Sequence, residues 1–156
     1  MTPAINAVKK RKVPHKVHEY VHDESAESYG IEATEKMAVA KELVFKTLVV
    51  SLDSKELAVA IIPVASRLSM KRIAKATGAK KATMADKADV ERSTGYVLGG
   101  VSPLGQKKQL RTVIDCSATS CVTVYVSAGR RGLEIELNPA HLIELTRASV
   151  DEICTA

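Results

Sequence analysis

An apolar run from Leu43 to Val50 places the strongest constraint on how this chain folds. Its aliphatic and β-branched residues are typical of a strand that is buried on both faces. A second apolar run, Leu57 to Val64, follows after a short turn at Asp53-Ser54. The two runs predict a β-hairpin in the core of the protein.

Lys46 interrupts the first of these runs. Burying an ammonium group without a partner is costly, so a lysine in such a strand usually points into a polar cavity. Side chains alternate along a strand, which places Lys46 on the same face as Val44 and Leu48. A second interpretation is an edge-strand lysine that reaches solvent and limits aggregation. The pattern alone leaves both interpretations open.

The other elements mix strands and helices in an irregular order. With 156 residues, of which 46% are hydrophobic, the chain fits one domain spanning residues 1–156. The order lacks a βαβ rhythm and predicts an α+β fold, with a mixed, mostly antiparallel sheet curled toward a barrel and helices packed around it. Predicted strands also cover His15–Tyr20, Thr112–Ile114, Val122–Ser127 and Leu133–Leu137, and predicted helices cover Ile31–Ala40, Met70–Thr77, Asp86–Arg92 and Ala140–Ala148.

Several classes of protein are disfavoured by what the sequence lacks. No apolar stretch is long enough to span a bilayer and no secretory signal is evident, so we expect a cytoplasmic protein without a membrane partner. The three cysteines have no C-x-x-C spacing, and His15 and His18 would face opposite sides of a strand. We therefore predict no disulfide framework, no metal site and no cofactor.

The net charge of +5 is unevenly distributed along the chain. Two acid-free basic stretches, at residues 9–16 and 67–81, would attract phosphate-bearing partners. Solvated helix faces explain either stretch equally well. Five aromatic residues leave little for stacking on bases, which disfavours a reader of single-stranded RNA, and no feature indicates DNA binding.

A glycine-rich stretch, Arg92 to Lys108, is the densest unusual segment. Gly99 and Gly100 at its centre would let main-chain amides approach a carboxylate, a phosphate or an oxyanion. The order of residues matches neither a phosphate-binding Walker loop nor a nucleophile elbow. No Ser-His-Asp or Cys-His arrangement is evident, so an enzyme of this sequence would take its nucleophile from water or from its substrate.

Taken together, separate motifs along almost the whole chain resemble the YbaK/EbsC family of aminoacyl-tRNA deacylases, and within it the YbaK-type Cys-tRNA(Pro) deacylases. The motifs that carry the resemblance are Thr2-Pro3-Ala4, Val17-His18-Glu19-Tyr20, Val44-Phe45-Lys46-Thr47-Leu48, Leu57-Ala58-Val59-Ala60, Arg92-Ser93-Thr94-Gly95-Tyr96, Gly99 through Lys108, and Tyr125 through Leu133.

The resemblance implies a trans-editing enzyme whose substrate is a mischarged tRNA and whose partner is prolyl-tRNA synthetase. It implies that Lys46 anchors the carbonyl or the terminal ribose of the charged tRNA end. Main-chain amides at Gly99 and Gly100 would hold the aminoacyl group or the developing oxyanion. Side chains implied to position or surround the substrate are Tyr20, Tyr29, Thr47, Ser127 and Glu134. Glu134 stands where an aspartate is frequent, and Tyr29 where a phenylalanine is common.

The resemblance further implies that the thiol of the esterified cysteine attacks its own ester carbonyl. Two alternatives stay open at this point. The first is a sister deacylase that acts on Ala-tRNA(Pro) or another mischarged tRNA, selected by the size of the pocket. The second is a non-catalytic module that binds tRNA or a synthetase through the basic stretches.

Overall fold

The computed structural model describes residues 1–24 and 29–155, with the main chain alone at Tyr29. Its α-helices are Pro3–Lys10 (α1), Tyr29–Met37 (α2), Met70–Thr77 (α3), Lys87–Thr94 (α4) and Pro139–Thr146 (α5), and short 3₁₀ helices cover Lys41–Leu43 and Cys116–Ser120. Its strands are His15–Glu19 (β1), Phe45–Leu52 (β2), Glu56–Pro63 (β3), Ala82–Met84 (β4), Arg111–Asp115 (β5), Val124–Arg130 (β6), Leu133–Leu137 (β7) and Ser149–Asp151 (β8).

The strands form two sheets, which confirms the predicted α+β class. The first sheet has the order β1-β7-β6 and is antiparallel throughout. The second has the order β4-β2-β3-β5-β8, in which β5 runs parallel to both β3 and β8. A single bridge between Val44 and Tyr125 connects the start of β2 with β6. The barrel toward which we expected the sheet to curl is therefore open.

The hairpin expected from the two apolar runs is formed by β2 and β3. Its pairing extends from Phe45 opposite Pro63 to Leu52 opposite Glu56. The turn residues Asp53 and Ser54 both have positive φ, 53° and 57°, and the Lys55 amide donates to Leu52 O at 3.0 Å, which closes the turn.

Both faces of β2 are buried, as the sequence predicts. Phe45 and Val49 pack into the core shared with β6, β7 and α1, whereas Val50 and Leu52 pack beneath α3 on the opposite face. Lys46 has the same strand parity as Val50 and so belongs to the α3 side. The strand that carries the lysine thus forms part of two hydrophobic cores.

Several predicted boundaries are wrong for identifiable reasons. β6 continues through Arg130, beyond the predicted end of the strand at Ser127, because a β-bulge between Ser127 and Arg130 keeps the chain paired with β7. α2 begins at Tyr29 rather than Ile31. The strands β4 and β8 have three residues each, too few to show an alternating pattern. α3 matches its prediction, with the Ser69 hydroxyl accepting from the Arg72 amide at its start and Gly78 at its end.

Candidate functional site

A cavity of about 260 Å³ lies between β2 and β6, just beyond the bridge that joins the two strands. β4 pairs with β2 only at residues 50–52, so the earlier part of β2 faces this gap instead of another strand of its sheet. The described residues that line the cavity are Gly30, Phe45, Lys46, Thr47, Leu48, Leu98, Gly99, Val101 and Ser127. The structure therefore brings together four of the site residues expected from the sequence: Lys46, Thr47, Gly99 and Ser127.

Lys46 is partly buried and lines the cavity together with Gly99. Burial lowers the pKa of its ammonium below 10.5, the nearby Arg67 acts in the same direction, and Cys154 opposes the change. A lysine on a freely solvated edge would not be desolvated in this way. The arrangement therefore matches the interpretation in which the lysine points into a cavity.

Thr47 presents its side chain to the cavity from the face opposite that of Lys46. Its Oγ1 is buried and has no hydrogen-bond partner among the described residues. The Val49 carbonyl accepts from Ala85, on the side of β2 away from β3. Because these groups alternate along a strand, the main-chain N–H and C=O of Thr47 also point away from β3, toward the cavity. Thr47 thus brings a buried hydroxyl without a described partner and two main-chain polar groups to the wall of the cavity.

The glycine-rich loop covers the cavity through Leu98, Gly99 and Val101. Gly99 has a φ of +95°, which favours glycine. Gly100 lies behind it, with its N–H donating to Val97 O at 2.9 Å. A Cβ on Gly100 would lie 3.0 Å from Arg130 Cα, so this position allows the loop to pack closely against β6. Gly99 therefore contacts the cavity, whereas Gly100 closes the turn and fixes the distance between the loop and β6.

The loop is held in place from both ends. The Tyr96 hydroxyl donates to Leu104 O at 2.6 Å, and the Leu98 amide donates to Glu91 Oε2 at 3.0 Å. Burial raises the pKa of Tyr96 to about 12, so its hydroxyl remains a donor at physiological pH. These bonds give the cavity a preorganised roof.

Glu134 and Tyr20 lie behind Ser127. Glu134 is buried and pairs with Ser127 across β6 and β7. Tyr20 Oη is also buried, and it has no hydrogen-bond partner among the described residues. Burial and the charge of Glu134 raise the pKa of Tyr20 to about 12. Neither residue is among the described residues that line the cavity. The side chain of Tyr29 lies outside the described residues.

Sequence reasoning did not identify Gly30, Leu98 or Val101 as site residues. Gly30 lies in the first turn of α2 and packs against Val64, just after β3, where a Cβ would lie 2.4 Å from Val64 Cγ1. Leu98, between Val97 and Gly99, is 53% exposed. The glycine beside Tyr29 and the apolar residues flanking Gly99-Gly100 were the available signals.

Among the described residues, the cavity contains neither a reactive thiol nor an activated serine. Burial raises the pKa of all three cysteine thiols, that of Cys154 to about 11, so they stay protonated at neutral pH. Ser127 Oγ donates to Gly100 O at 3.4 Å and accepts from the Gly129 amide at 3.1 Å. Both of these hydrogen bonds join Ser127 Oγ to main-chain groups, and no histidine or carboxylate is among the described lining residues to act as its general base.

The three N-terminal histidines bind separate partners. His15 Nδ1 lies 2.7 Å from Val13 O, while His18 and His22 pair with the carboxylates of Glu136 and Glu32. In the part of the chain that the structure describes, no group of three His, Cys, Asp or Glu side chains is placed to hold a metal ion. Within the same part, no helix is long and apolar enough to cross a membrane.

A larger cleft, of about 820 Å³, lies at the ends of β3 and β5 and includes Pro63, Asp115, Cys121 and Cys154 in its wall. Although burial acts to raise the pKa of Asp115, hydrogen bonds from Ser117 and from the Ile153 amide hold it below its ordinary value. This carboxylate is already bonded within the fold. The convergent polar groups expected of a catalytic site are found instead at the smaller cavity.

Comparisons with known proteins bear on the family and the fold of the chain. The family model described as the aminoacyl-tRNA editing domain matches residues 23–145. A protein of Enterococcus faecalis named "Putative Cys-tRNA(Pro)/Cys-tRNA(Cys) deacylase EbsC" is 40% identical over 157 aligned positions, which cover 99% of this chain and 93% of that protein.

Two solved structures share the fold at low sequence identity. One, described as "a putative trans-editing enzyme for prolyl tRNA synthetase", has a TM-score of 0.87 and 21% identity, covering 99% of this chain and 96% of the other. The second is a protein used for backbone grafting of linear epitopes, with a TM-score of 0.88, 22% identity and the same coverage.

Proposed function

Since the chain belongs to the aminoacyl-tRNA editing domain family, we propose that it is a hydrolase that removes cysteine from mischarged Cys-tRNA(Pro). The observation that carries the proposal is the shared cavity of Lys46, Thr47, Gly99 and Ser127. The name of the 40% identical relative supports cysteine as the amino acid.

The cavity residues divide the recognition of an esterified amino acid among them. The Lys46 ammonium anchors the ester carbonyl or the adjacent ribose, and the Thr47 hydroxyl positions the same group. The Gly99 main chain lies against the ester carbonyl, whose oxygen gains negative charge during cleavage. Gly100 contributes by setting the height of the roof. Ser127 bounds the aminoacyl pocket, and Tyr20 and Glu134 complete the wall behind it.

The substrate's own thiol supplies the nucleophile. Its sulfur bonds to the ester carbonyl carbon while the thiol proton is released, and the C–O bond to the ribose breaks as that oxygen takes up a proton. The products are free tRNA and a cyclic cysteine thiolactone, which water then opens to cysteine. The protonated thiols of the protein and the unactivated Ser127 support this route. The attack is intramolecular, so the protein acts mainly by orientation and charge.

Editing of this kind is useful because a synthetase cannot fully reject a wrong amino acid by its size alone. A synthetic pocket for proline gains little differential binding against an amino acid of similar size, so a second, hydrolytic site improves accuracy. No described group of the cavity reads tRNA identity. Recruitment by prolyl-tRNA synthetase in the cytoplasm would supply that selectivity, and the name of one structural neighbour mentions this synthetase.

The test compares release of cysteine, serine and alanine from the same proline tRNA, by wild type and by Lys46→Ala. We expect cysteine to be released far faster than serine, because a hydroxyl is the poorer nucleophile, and Lys46→Ala to lose most of the activity. Equal rates for cysteine and serine would exclude attack by the thiol. Preferential release of alanine would favour selection by pocket size.

A binding module without catalysis predicts a different outcome from the same proteins. It would show no release of any amino acid, and Lys46→Ala would bind tRNA as wild type does. Repeating the assay with added prolyl-tRNA synthetase tests the partnership. We expect the synthetase to raise the rate on proline tRNA more than on a cysteine-charged tRNA of another identity.

A further inference from the structure

Arg131 lies at the tip of the β6–β7 hairpin, directly beside the roof of the cavity. A Cβ on Gly99 would be 3.2 Å from both Nε and Nη2 of this arginine, so the guanidinium packs against the bare glycine backbone. Gly99 lines the cavity, so only the main chain of this residue separates the guanidinium from the cavity.

The turn that carries Arg131 is held in a defined position. The Tyr20 amide donates to Gly132 O at 2.9 Å. Gly132 has a φ of +89°, and a Cβ there would lie 2.7 Å from Tyr20 O. The β-bulge between Ser127 and Arg130 directs the end of β6 into this turn. Arg131 is accordingly half-buried, whereas its neighbour Arg130 is exposed and pairs with Glu19 at 3.7 Å.

The size of the cavity determines what must remain outside it. At about 260 Å³ it is smaller than the roughly 300–1,000 Å³ usual for pockets that enclose a whole small molecule. An aminoacyl group with its ester fits such a volume, but the nucleotide that carries the ester does not. The nucleotide therefore crosses the rim, where the first anionic group is the phosphodiester on the 5′ side of the terminal nucleoside.

We propose that Arg131 binds this phosphodiester and so sets the register of the tRNA end over the cavity, an inference that rests on the proposed function. A guanidinium suits the role because its planar donors bind phosphate oxygens in pairs. Its five N–H donors allow it to keep contacts within the protein while it binds a phosphate. Lys46 is then left to act on the ester.

The experiment uses two substrates that carry the same cysteine ester. One is cysteinyl adenosine, which has no phosphodiester, and the other is cysteinyl cytidylyl-(3′→5′)-adenosine, which has one. The substrate ratio is kcat/KM for the phosphodiester-containing substrate divided by kcat/KM for cysteinyl adenosine. It is measured for wild type, Arg131→Gln, Arg131→Lys and the matched control Arg130→Gln. Arg67→Gln tests the exposed arginine near Lys46 as a rival phosphate ligand.

In wild type, we expect the phosphodiester to raise kcat/KM. Arg131→Gln should lower the substrate ratio about tenfold, because it removes a charge-assisted contact, and the change should lie mainly in KM for the phosphodiester-containing substrate. Arg131→Lys should lower it less, and Arg130→Gln should leave it unchanged. With whole tRNA, the slope of log affinity against log salt should become less negative by about 0.7 in Arg131→Gln.

The remaining outcomes separate the possible failures. If Arg131→Gln lowers kcat/KM equally for both substrates, Arg131 is a structural support of the loop and the proposal is overturned. The proposal is also overturned if Arg67→Gln lowers the substrate ratio and Arg131→Gln does not. If Arg131→Gln does not fold, Arg131→Met, which also removes the charge, takes its place, and a wild-type ratio in that variant contradicts phosphate binding. Failure of wild type to cleave either ester would refute the proposed function itself.

Discussion

Replacing Thr47 by valine separates the function of this residue from its effect on stability. The Thr47 hydroxyl is buried without a hydrogen-bond partner among the described residues, which costs roughly 1–3 kcal/mol relative to a satisfied group. Valine has nearly the same shape and suits a strand. We therefore expect Thr47→Val to raise the free energy of unfolding by about 1 kcal/mol, and thus Tm by about 2–4 °C for a chain of this size.

Activity should change in the opposite direction. If the hydroxyl positions the ester, its loss removes one hydrogen bond to substrate, worth about 1.4 kcal/mol or a tenfold fall in kcat/KM. Thermal unfolding without substrate and deacylation of Cys-tRNA(Pro) measure the two effects on the same samples. A less stable Thr47→Val that retains full activity would refute the reasoning.

A second buried strand threonine provides the matched control. Thr112 Oγ1 donates to Leu110 O at 3.0 Å, in β5 and away from the described cavity lining. Thr112→Val should therefore lose about 1 kcal/mol of stability and leave kcat/KM unchanged. If both valine variants shift Tm in the same direction, the unsatisfied state of the Thr47 hydroxyl is not the cause of its effect.

Three further predictions concern Lys46 and the glycine loop. Lys46→Met should abolish deacylation yet stabilise the protein by about 0.5–1 kcal/mol at neutral pH, because the cost of a desolvated ammonium is removed; a destabilised variant in thermal unfolding would contradict this. In wild type the free-energy cost of burying the Lys46 ammonium is present below its folded-state pKa and disappears as pH rises toward 10.5. Because activity requires the ammonium, kcat/KM should fall at a pH below 10.5. A fall that begins only at or above 10.5 would argue against desolvation of Lys46. Gly100→Ala should lower stability by about 1–3 kcal/mol and activity at least severalfold, because its Cβ meets Arg130 main chain, whereas Gly78→Ala, at a helix end with open space around it, should leave activity unchanged in the same deacylation assay.

Much of the fold follows from local patterns in the sequence. The β2–β3 hairpin is predictable because two apolar runs flank a short turn, and α3 is predictable because Ser69 and Gly78 mark its ends. The boundaries that differ depend on contacts between distant residues. β6 extends to Arg130 because β7 holds it across a bulge, which no local signal reveals.

The site was only partly predictable for the same reason. Lys46 is conspicuous because a charge interrupts an apolar strand, and Gly99 because it lies in a glycine-rich stretch. The different positions of Gly99 and Gly100 follow from packing against Arg130, which arises only once β6 is in place. Gly30 enters the cavity because α2 packs against Val64, a contact between segments far apart in the chain.

The most direct test of the account is a crystal structure with a non-hydrolysable analogue, 3′-cysteinylamido-adenosine. We predict its carbonyl oxygen or ribose within about 2.7–3.2 Å of Lys46 Nζ, with the cysteine side chain beneath Leu98 and Gly99 and beside Ser127. An analogue bound in the larger cleft beside Asp115 and Cys121, with neither its carbonyl oxygen nor its ribose in contact with Lys46 Nζ, would contradict the assignment of the site.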